Sequence, residues 1–329
     1  MRLLIAGGAG YLGSVLIPKL LERGYKVDVV DLFWFGNHLP RQVGVVNKDI
    51  FHLTVEDLEP YTQVIFLAGL SNDPMAEYSP SKNFIFNAAA PAYLGYIAKM
   101  AKVKRYIYAS SCSVYGYTEN ELYDETRPVS SSYPYGISKL QGEQAVTQLI
   151  NDSFSVISLR KGTISGYSPR MRLDLIINTM FKTAMQSRTI TVNNPSIWRP
   201  ILSIEDASTA YIRAVEANEN ISGVFNIASG NHTVGEVADL IKSAIRERLD
   251  IRVNLDIKHV QDFRNYKVSV EKAANVLSFH PAGSVRSIID NLIDNMDKFG
   301  DWDNPAYSNI RMFKELDNAA EMSSMVGAA

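Results

Sequence analysis

Gly7-Gly8-Ala9-Gly10-Tyr11-Leu12-Gly13 is the stretch of sequence that decides the fold of this chain. It directly follows a short apolar run, Arg2-Leu-Leu-Ile-Ala6, which is typical of a buried parallel strand. Apolar residues recur at helical spacing from Ser14 to Arg23, and Gly24 is well placed to end that helix. A strand, a glycine-rich turn and a helix in this order predict a dinucleotide site, because the glycines let backbone N–H groups approach a pyrophosphate.

The next apolar run predicts which dinucleotide is bound. Residues 26–30 read as a second strand, and Asp31 follows at its end. A carboxylate there can accept hydrogen bonds from the adenosine ribose hydroxyls and would repel a 2′-phosphate, so the sequence favours NAD over NADP. Asp31 could instead be an acid in a solvated turn. The glycine motif could be a turn that binds no ligand, but the intact order of strand, turn and helix argues against this alternative.

The order of the remaining elements predicts an α/β fold with a doubly wound parallel sheet of the Rossmann type. Strand candidates at residues 43–47, 63–68, 105–109 and 155–159 alternate with helices at residues 83–102 and 135–150. Past residue 160, loops rich in Gly, Ser, Pro and Asn break the pattern. We therefore expect a dinucleotide-binding domain at 1–160, to which the chain can return, a smaller C-terminal substrate lobe within 161–318, and a flexible tail at 319–329.

Composition excludes several classes of protein. The 33 basic and 35 acidic residues give a formal net charge of −2, so nothing points to a nucleic-acid or membrane surface. The apolar N-terminus is interrupted by glycines and continues as a strand and helix, which argues against a signal peptide, and no apolar stretch is long enough to span a bilayer. The single cysteine, Cys112, fits a reducing, cytoplasmic compartment, and the five histidines form no cluster at metal-ligand spacing.

Two further motifs predict hydride chemistry on an alcohol or ketone. Ala109-Ser-Ser-Cys-Ser-Val-Tyr-Gly116 ends a predicted strand, on the ligand edge of the sheet. Tyr135-Gly-Ile-Ser-Lys139 places a phenol and an ammonium four residues apart on one helix face, where the positive charge favours the phenolate and makes it a usable base. Chance produces either motif alone, as a turn or a solvated helix face; their order after the glycine motif favours catalysis.

Together these motifs resemble those of the extended short-chain dehydrogenase/reductases that modify nucleotide-linked sugars, the relatives of UDP-galactose 4-epimerase. The resemblance runs from Met1 to about Phe299 and implies NAD as cofactor, with Ser111, Tyr135 and Lys139 as the catalytic set. It also implies the cofactor contacts, which are Gly7, Gly10, Tyr11, Leu12, Gly13, Asp31, Asp49, Ile50, Leu67, Ala68, Gly69, Asn87, Tyr135 and Lys139.

The expected substrate is a nucleotide-diphosphate sugar. Arginine forks suit a diphosphate, and two arginines lie in the loop Ser168-Pro-Arg-Met-Arg-Leu-Asp174. The resemblance adds Arg199 and Arg264 as diphosphate contacts. Alternatively, these arginines are exposed to solvent or pair with an acid, such as Asp262 for Arg264. The candidate substrate contacts are Ser111, Ser113, Thr163, Arg170, Arg172, Asn178, Arg199 and Arg264.

The resemblance also implies a mechanism. Tyr135 removes the proton of the sugar C4 hydroxyl while a hydride passes to NAD, and Lys139 lowers the pKa of the tyrosine and binds the cofactor ribose. If the ketone turns over in the site and takes the hydride back on its other face, the enzyme is a C4 epimerase. If the ketone leaves as the product, the enzyme is a C4 dehydrogenase, and if the ketone arrives as the substrate, it is a 4-ketoreductase. Related dehydratases and decarboxylases carry acids after the catalytic hydroxyl, where this chain has Cys112 and Ser113, so those reactions are less favoured.

Two expectations remain. A non-catalytic dinucleotide sensor on the same fold is the third class of function, and the presence of Tyr135 and Lys139 argues against it. Relatives usually dimerise through the two long helices, here residues 83–102 and 134–150, so the resemblance implies a homodimer.

Overall fold

The computed structural model describes residues 1–260 and 264–326. Its strands are β1 Arg2–Ala6, β2 Lys26–Asp31, β3 Gly44–Asn47, β4 Gln63–Phe66, β5 Arg105–Ser111, β6 Tyr117–Tyr123, β7 Ser155–Lys161, β8 Thr163–Ser165, β9 Thr189–Asn193, β10 Trp198–Ser203, β11 Gly223–Ile227, β12 Gly230–Thr233, β13 Asn254–Lys258 and β14 Asn265–Val268. Its helices are α1 Gly13–Glu22, α2 Val55–Leu58, α3 Asp73–Tyr78, α4 Pro80–Phe84, α5 Ala90–Met100, α6 Pro134–Thr147, α7 Ile176–Ser187, α8 Ile204–Glu216, α9 Val234–Leu249, α10 Glu271–Leu277, α11 Val285–Asp294 and α12 Asn309–Val326.

A seven-stranded parallel sheet carries the predicted dinucleotide domain. Its order is β3-β2-β1-β4-β5-β7-β11, and every neighbouring pair is parallel. The central strands β4 and β5 are buried over nearly their whole length because helices cover both faces. The strand order reverses between β1 and β4, and ligands bind at such a switch point, outside the carboxyl ends of the strands. The predicted doubly wound α/β fold is confirmed.

The chain returns to this sheet after residue 160. Strand β11 pairs with β7, and helix α8, which precedes it, packs against α1. Before α8 and after β11 the chain builds a second lobe from α7, α9 and α11 with short strand pairs, around a core that includes Phe181, Ile241 and Ile289. The two units are therefore interleaved in sequence and not divided at one position.

The long helical region predicted at residues 83–102 has a break in its middle. Helices α4 and α5 are joined by one π-helical turn, Ile85–Ala89, which holds Asn87. On the first of the two helices expected at the dimer interface, Tyr96 is 55% exposed, whereas Ile97 is buried and the hydroxyl of Tyr93 donates to the Leu53 carbonyl. The homodimer remains a prediction.

The C-terminal segment is helical where a tail was predicted. Helix α12 runs from Asn309 to Val326, so most of the segment 319–329 continues this helix, and residues 327–329 lie outside the described part of the chain. The first turns of α12 pack against the sheet side of the molecule, where Phe313 is buried beside Trp34 and Leu70.

A buried ion pair ties α6 to the central strands. The two carboxylate oxygens of Glu143 accept from Arg160, at 2.6 Å from Nη2 and 2.9 Å from Nε. The Ser110 hydroxyl donates to the same carboxylate at 2.7 Å, and Arg160 Nη1 donates to the Tyr115 hydroxyl. Glu143 lies on α6 in line with Tyr135 and Lys139, so this pair fixes the height and rotation of the helix that carries both residues.

We predict that Arg160→Met lowers the free energy of unfolding by about 3–5 kcal/mol, because it leaves the Glu143 carboxylate buried without its partner. Urea denaturation of the cofactor-free protein measures this. Arg286→Met is the matched control, since Arg286 makes an exposed i,i+4 pair with Asp290 whose loss should cost about 0.5 kcal/mol. A double variant, Glu143→Gln with Arg160→Met, should recover part of the loss; equal, small losses for the two single arginine variants would show that the buried pair is not a structural constraint.

Candidate active site

The glycine turn lies open at the start of helix α1. Gly7 has φ +77°, and a Cβ there would lie 2.4 Å from the backbone nitrogen of Ala68, so the turn needs glycine. Helix α1 begins at Gly13, and no side chain caps its N-terminus. The backbone N–H groups of residues 11–13 at this start make no hydrogen bond within the described residues, so they are available to a phosphate.

A cleft follows this turn along the carboxyl edge of the sheet. Its lining includes eleven of the predicted cofactor contacts, namely Gly7, Gly10, Tyr11, Leu12, Gly13, Asp31, Asp49, Ile50, Leu67, Ala68 and Gly69. The predicted contacts come from four separate segments of the chain, which the fold brings to one groove.

Asp31 sits at the end of β2 with both oxygens engaged. One oxygen accepts from the Ala9 backbone N–H at 3.0 Å and the other from that of Phe33 at 2.9 Å. Burial raises the pKa of this carboxyl, and the backbone hydrogen bonds oppose that shift. The carboxylate therefore both braces the glycine turn and faces the cleft where a ribose would lie.

Asn87 lies behind the cleft and does not line it. Its amide donates to the Leu70 carbonyl at 2.8 Å and to Asn83. Gly69 has φ +124°, and a Cβ at this position would lie only 2.2 Å from the amide oxygen of Asn87. The position therefore has room only for glycine. Asn87 therefore holds the segment after β4 in the shape that lines the cleft.

The three predicted catalytic residues meet at the end of β5. Ser111 ends that strand, and Tyr135 and Lys139 lie one turn apart at the start of α6. The Ser111 hydroxyl is near enough to the Tyr135 phenol to act on its pKa, and the Ser113 hydroxyl donates to Ser111 Oγ at 2.9 Å. We therefore expect the phenol and the serine hydroxyl to meet the same substrate oxygen.

The predicted effect of Lys139 on the pKa of Tyr135 remains a prediction. Burial raises that pKa, and the nearby Asp73 carboxylate adds to the rise; the Ser111 hydroxyl and the Arg172 charge oppose it. Lys139 donates to the Ala109 carbonyl at 3.1 Å and lies over the Tyr108 ring. Its own pKa is lowered by burial and by repulsion from Lys161.

Lys161 is a site residue that sequence reasoning missed. It ends β7, directly opposite Ser111 in the adjacent strand, and it lines the cleft. Burial and the charge of Arg172 lower its pKa to about 8. A lysine at the ligand end of a predicted buried strand was the signal that could have identified it.

Arg199 and Arg264 lie together and do not line the cofactor cleft. Arg264 pairs with Asp73 and lies over the Tyr133 ring, 5.1 Å from its centroid. Arg199 donates to the Arg264 carbonyl and lies over Tyr266. Asp73 is thus an acid partner of Arg264; Asp262, considered from the sequence, lies outside the described residues.

The remaining predicted substrate contacts divide between two places. Arg170 and Arg172 line the cofactor cleft, whereas Thr163 lies on β8 beside β10 and does not. Asn178 is fully buried, and its amide bonds Gly166, the Tyr11 hydroxyl and the Arg172 carbonyl. Because these partners occupy the amide, we assign Asn178 the role of positioning the loop 166–172.

Cys112 points away from the cleft. Its thiol donates to the Arg160 carbonyl at 3.1 Å, and burial raises its pKa. It is therefore a small buried residue and not a thiolate nucleophile. Within residues 1–260 and 264–326, no group of His, Cys, Asp and Glu could hold a metal ion, and no helix is long and apolar enough to cross a membrane.

The residues present fit NAD. The uncapped start of α1 suits a pyrophosphate, Asp31 suits an unmodified ribose, and two buried guanidinium nitrogens in the cleft lining, Arg170 Nε and Arg172 Nη2, have no hydrogen-bond partner in the described structure. When bound, NAD supplies a hydride acceptor and donor beside Tyr135 and Ser111.

Relatives of known reaction resemble this chain over most of its length. UDP-glucuronic acid decarboxylase 1 of Danio rerio is 27% identical over 304 residues, covering 85% of this chain and 69% of that protein. UDP-glucose 4-epimerase of Corynebacterium glutamicum is 24% identical over 311 residues, covering 88% and 94% respectively.

Solved structures share the fold. The complex of MoeE5 with UDP-glucuronic acid and NAD has a TM-score of 0.80 at 24% identity, covering 91% of this chain and 100% of that one. UDP-glucuronic acid 4-epimerase from Bacillus cereus, also with UDP-glucuronic acid and NAD, has a TM-score of 0.79 at 21% identity with the same coverage. The family model described as the NAD dependent epimerase/dehydratase family matches residues 3–228, and this chain therefore belongs to that family of NAD-dependent nucleotide-sugar enzymes.

Proposed function

We propose that this protein is a nucleotide-sugar epimerase that inverts C4 through a transient 4-keto sugar. The observation that carries the proposal is the proximity of the Tyr135 phenol to Ser111, whose strand partner Lys161 lines the cofactor cleft, with no acid in the two positions after Ser111. This arrangement can move one proton to and from a sugar hydroxyl, and it offers no obvious group for a further elimination step.

Tyr135 accepts the proton of the C4 hydroxyl, and Ser111 orients that oxygen by hydrogen bonding. Burial raises the pKa of this phenol, so positive charge nearby would favour its ionisation. Lys139 lies on the same helix face, and NAD would bring a positive nicotinamide to the site when bound. The phenol then returns the proton to the C4 oxygen, and the hydride that NAD would carry can be returned to either face of C4.

Dehydration and decarboxylation are less well supported. Both reactions need an acid or base beside the keto sugar. The two positions after Ser111 hold Cys112, whose thiol donates to the Arg160 carbonyl, and Ser113, which has only a hydroxyl. Asp73 does bring a carboxylate near Tyr135, but its charge is paired with Arg264. A C4 dehydrogenase or 4-ketoreductase would use the same residues, and it differs only in whether the keto sugar leaves.

The substrate that we propose is a UDP-sugar. The relatives named above act on UDP-glucose or UDP-glucuronic acid according to their names, and Arg199 and Arg264 place two guanidinium groups on the substrate side of Tyr135. Guanidinium forks match the oxygens of a diphosphate, so these residues are the candidate holders of the UDP group.

Incubation with UDP-glucose, UDP-galactose, UDP-glucuronic acid or UDP-galacturonic acid, without added cofactor, tests the proposal. We expect one of them to give its C4 epimer, identified by NMR with unchanged mass, and Tyr135→Phe to lower the rate by about 100-fold or more with NAD still bound. Loss of water, loss of carbon dioxide or a change of two hydrogens in the product would each replace the proposal by the corresponding reaction. Wild-type turnover in Tyr135→Phe would end the assignment of the base.

Arg199→Met should raise KM for the UDP-sugar by about 10- to 100-fold, because it removes a charged donor to the diphosphate. NAD affinity should not change, since Arg199 does not line the cofactor cleft. Steady-state kinetics and NAD titration measure the two effects. Arg248→Met, on the surface of the same lobe, is the control for a lost arginine charge. If KM is the same in both variants, Arg199 only braces the Arg264 backbone.

Lys161→Met should extend activity toward alkaline pH. The charge of Lys161 lowers the pKa of Lys139, so activity that needs protonated Lys139 falls early as the pH rises. Without Lys161 the pKa of Lys139 rises, and the alkaline fall of kcat should move up by roughly half to one pH unit. Profiles of kcat against pH for the two proteins measure this, and an unmoved or lowered alkaline limb would contradict the coupling.

A further inference from the structure

Two buried arginines in the cofactor cleft have unused hydrogen-bond donors. Arg170 is 3% exposed and Arg172 is 5% exposed, and both line the cleft. Nε of Arg170 and Nη2 of Arg172 have no hydrogen-bond partner in the described structure. A buried charged donor without a partner is costly, so each nitrogen indicates an acceptor that binds in the cleft.

The positions of the two arginines locate that acceptor. Arg170 lies flat on the Phe35 ring, 3.6 Å from the centroid, near Asp31 at the adenosine-ribose end of the cleft. Arg172 Nη1 donates to Ser71 Oγ at 3.0 Å, and its charge acts on the pKa of Lys161 on the catalytic side. The two guanidinium groups therefore flank the middle of the cleft, between the ribose-binding acid and the catalytic residues.

Among the described residues, carboxylates do not neutralise both guanidinium charges. Arg172 has Asp174 as its partner at 2.8 Å, whereas no ion pair joins Arg170 to a carboxylate anywhere in residues 1–260 and 264–326. Burial and the neighbouring Arg172 lower the pKa of Arg170 to about 9. A diphosphate supplies two negative charges and planar sets of oxygens that guanidinium forks match.

We propose that Arg170 and Arg172 bind the pyrophosphate of NAD from the side opposite the glycine turn, and that helix α12 closes this clamp. The sequence analysis assigned both arginines to the diphosphate of the sugar nucleotide. The structure favours the cofactor, because the clamp residues line the same cleft as Gly10 and Asp31, whereas the predicted substrate residues Arg199 and Arg264 do not.

Helix α12 supplies the closing contacts through its first residue. The Asn309 side chain accepts from Arg170 Nη2 and donates to Ser71 Oγ at 2.6 Å. Its backbone N–H donates to Asp174 at 2.9 Å, so it also braces the partner of Arg172. One turn further, Phe313 packs on Trp34 at 5.8 Å between centroids, and Lys82 pairs with Asp317.

This clamp predicts that bound NAD dissociates slowly. The diphosphate would be enclosed between the N-terminus of α1 and two buried guanidinium groups. It could leave only after the loop 168–174 and helix α12 move away from the segment that follows β4. The inference depends on NAD binding and not on the proposed C4 reaction, so binding measurements test it without turnover.

Isothermal titration of the cofactor-free full-length protein with NAD, ADP, adenosine and UDP is the test, for Arg170→Met and Arg172→Met. We expect NAD and ADP affinities to fall in parallel by about 10- to 100-fold, because both ligands carry the diphosphate. Adenosine, which lacks phosphate, and UDP should keep their affinities within about threefold. Arg248→Met is the control for the lost charge, and unfolding temperatures without ligand check that each variant is folded.

Two further variants keep the test decisive if a methionine variant does not fold. Arg172→Lys retains the charge but not the fork and should lose less NAD affinity than Arg172→Met. Asn309→Ala leaves both charges in place and should speed NAD dissociation, measured by the NAD retained per chain after gel filtration. Unchanged NAD and ADP affinities in the arginine variants would overturn the proposal, and a fall in UDP affinity alone would return both arginines to the sugar nucleotide.

Discussion

The buried ion pair between Glu143 and Arg160 is the constraint on which the catalytic geometry depends. It joins helix α6 to strand β7, and Ser110 joins the same carboxylate to β5. The next residue along β5 is Ser111, and the next along β7 is Lys161. Tyr135 and Lys139 stand two turns and one turn before Glu143 on α6. One carboxylate thus aligns three elements, each of which presents a functional side chain at the same edge of the sheet.

Positive charge is the second organising feature of this edge. Lys139, Lys161 and Arg172 act on one another or on Tyr135, and burial holds the pKa of both lysines below the ordinary range. Such a cluster is costly in the protein alone and becomes favourable when phosphates enter. The four arginines lie in two places. Arg170 and Arg172 line the cofactor cleft, and Arg199 and Arg264 lie beside Asp73 and Tyr133.

The local sequence predicts the Gly7–Gly13 turn and Asp31, and the family resemblance adds the other cofactor contacts; eleven of these predicted contacts line one cleft. Strand ends and glycine turns are determined by neighbouring residues, so local sequence can indicate them. The positions of the arginines, Asn178 and Lys161 were not accessible in this way. They depend on which loop returns over the sheet, a long-range property that periodicity does not report. The small residues and methionines of the segment 319–329 carry little amphipathic pattern, so the sequence did not indicate that helix α12 continues to Val326, although tertiary packing of Phe313 anchors its start.

The closed cleft and the proposed chemistry support each other. A dehydrogenase must exchange its oxidised and reduced cofactor at every turnover, and a clamp that slows dissociation would limit its rate. An epimerase takes the hydride and returns it within one turnover, so it has no need to release NAD. Under the proposed function, enclosure by Arg170, Arg172 and Asn309 would not slow turnover, because a redox-neutral enzyme keeps its cofactor. The positive charge of a retained nicotinamide would also oppose the effect of burial on the pKa of the Tyr135 phenol. Holding the cofactor and activating the base would then both follow from the same distribution of buried charge.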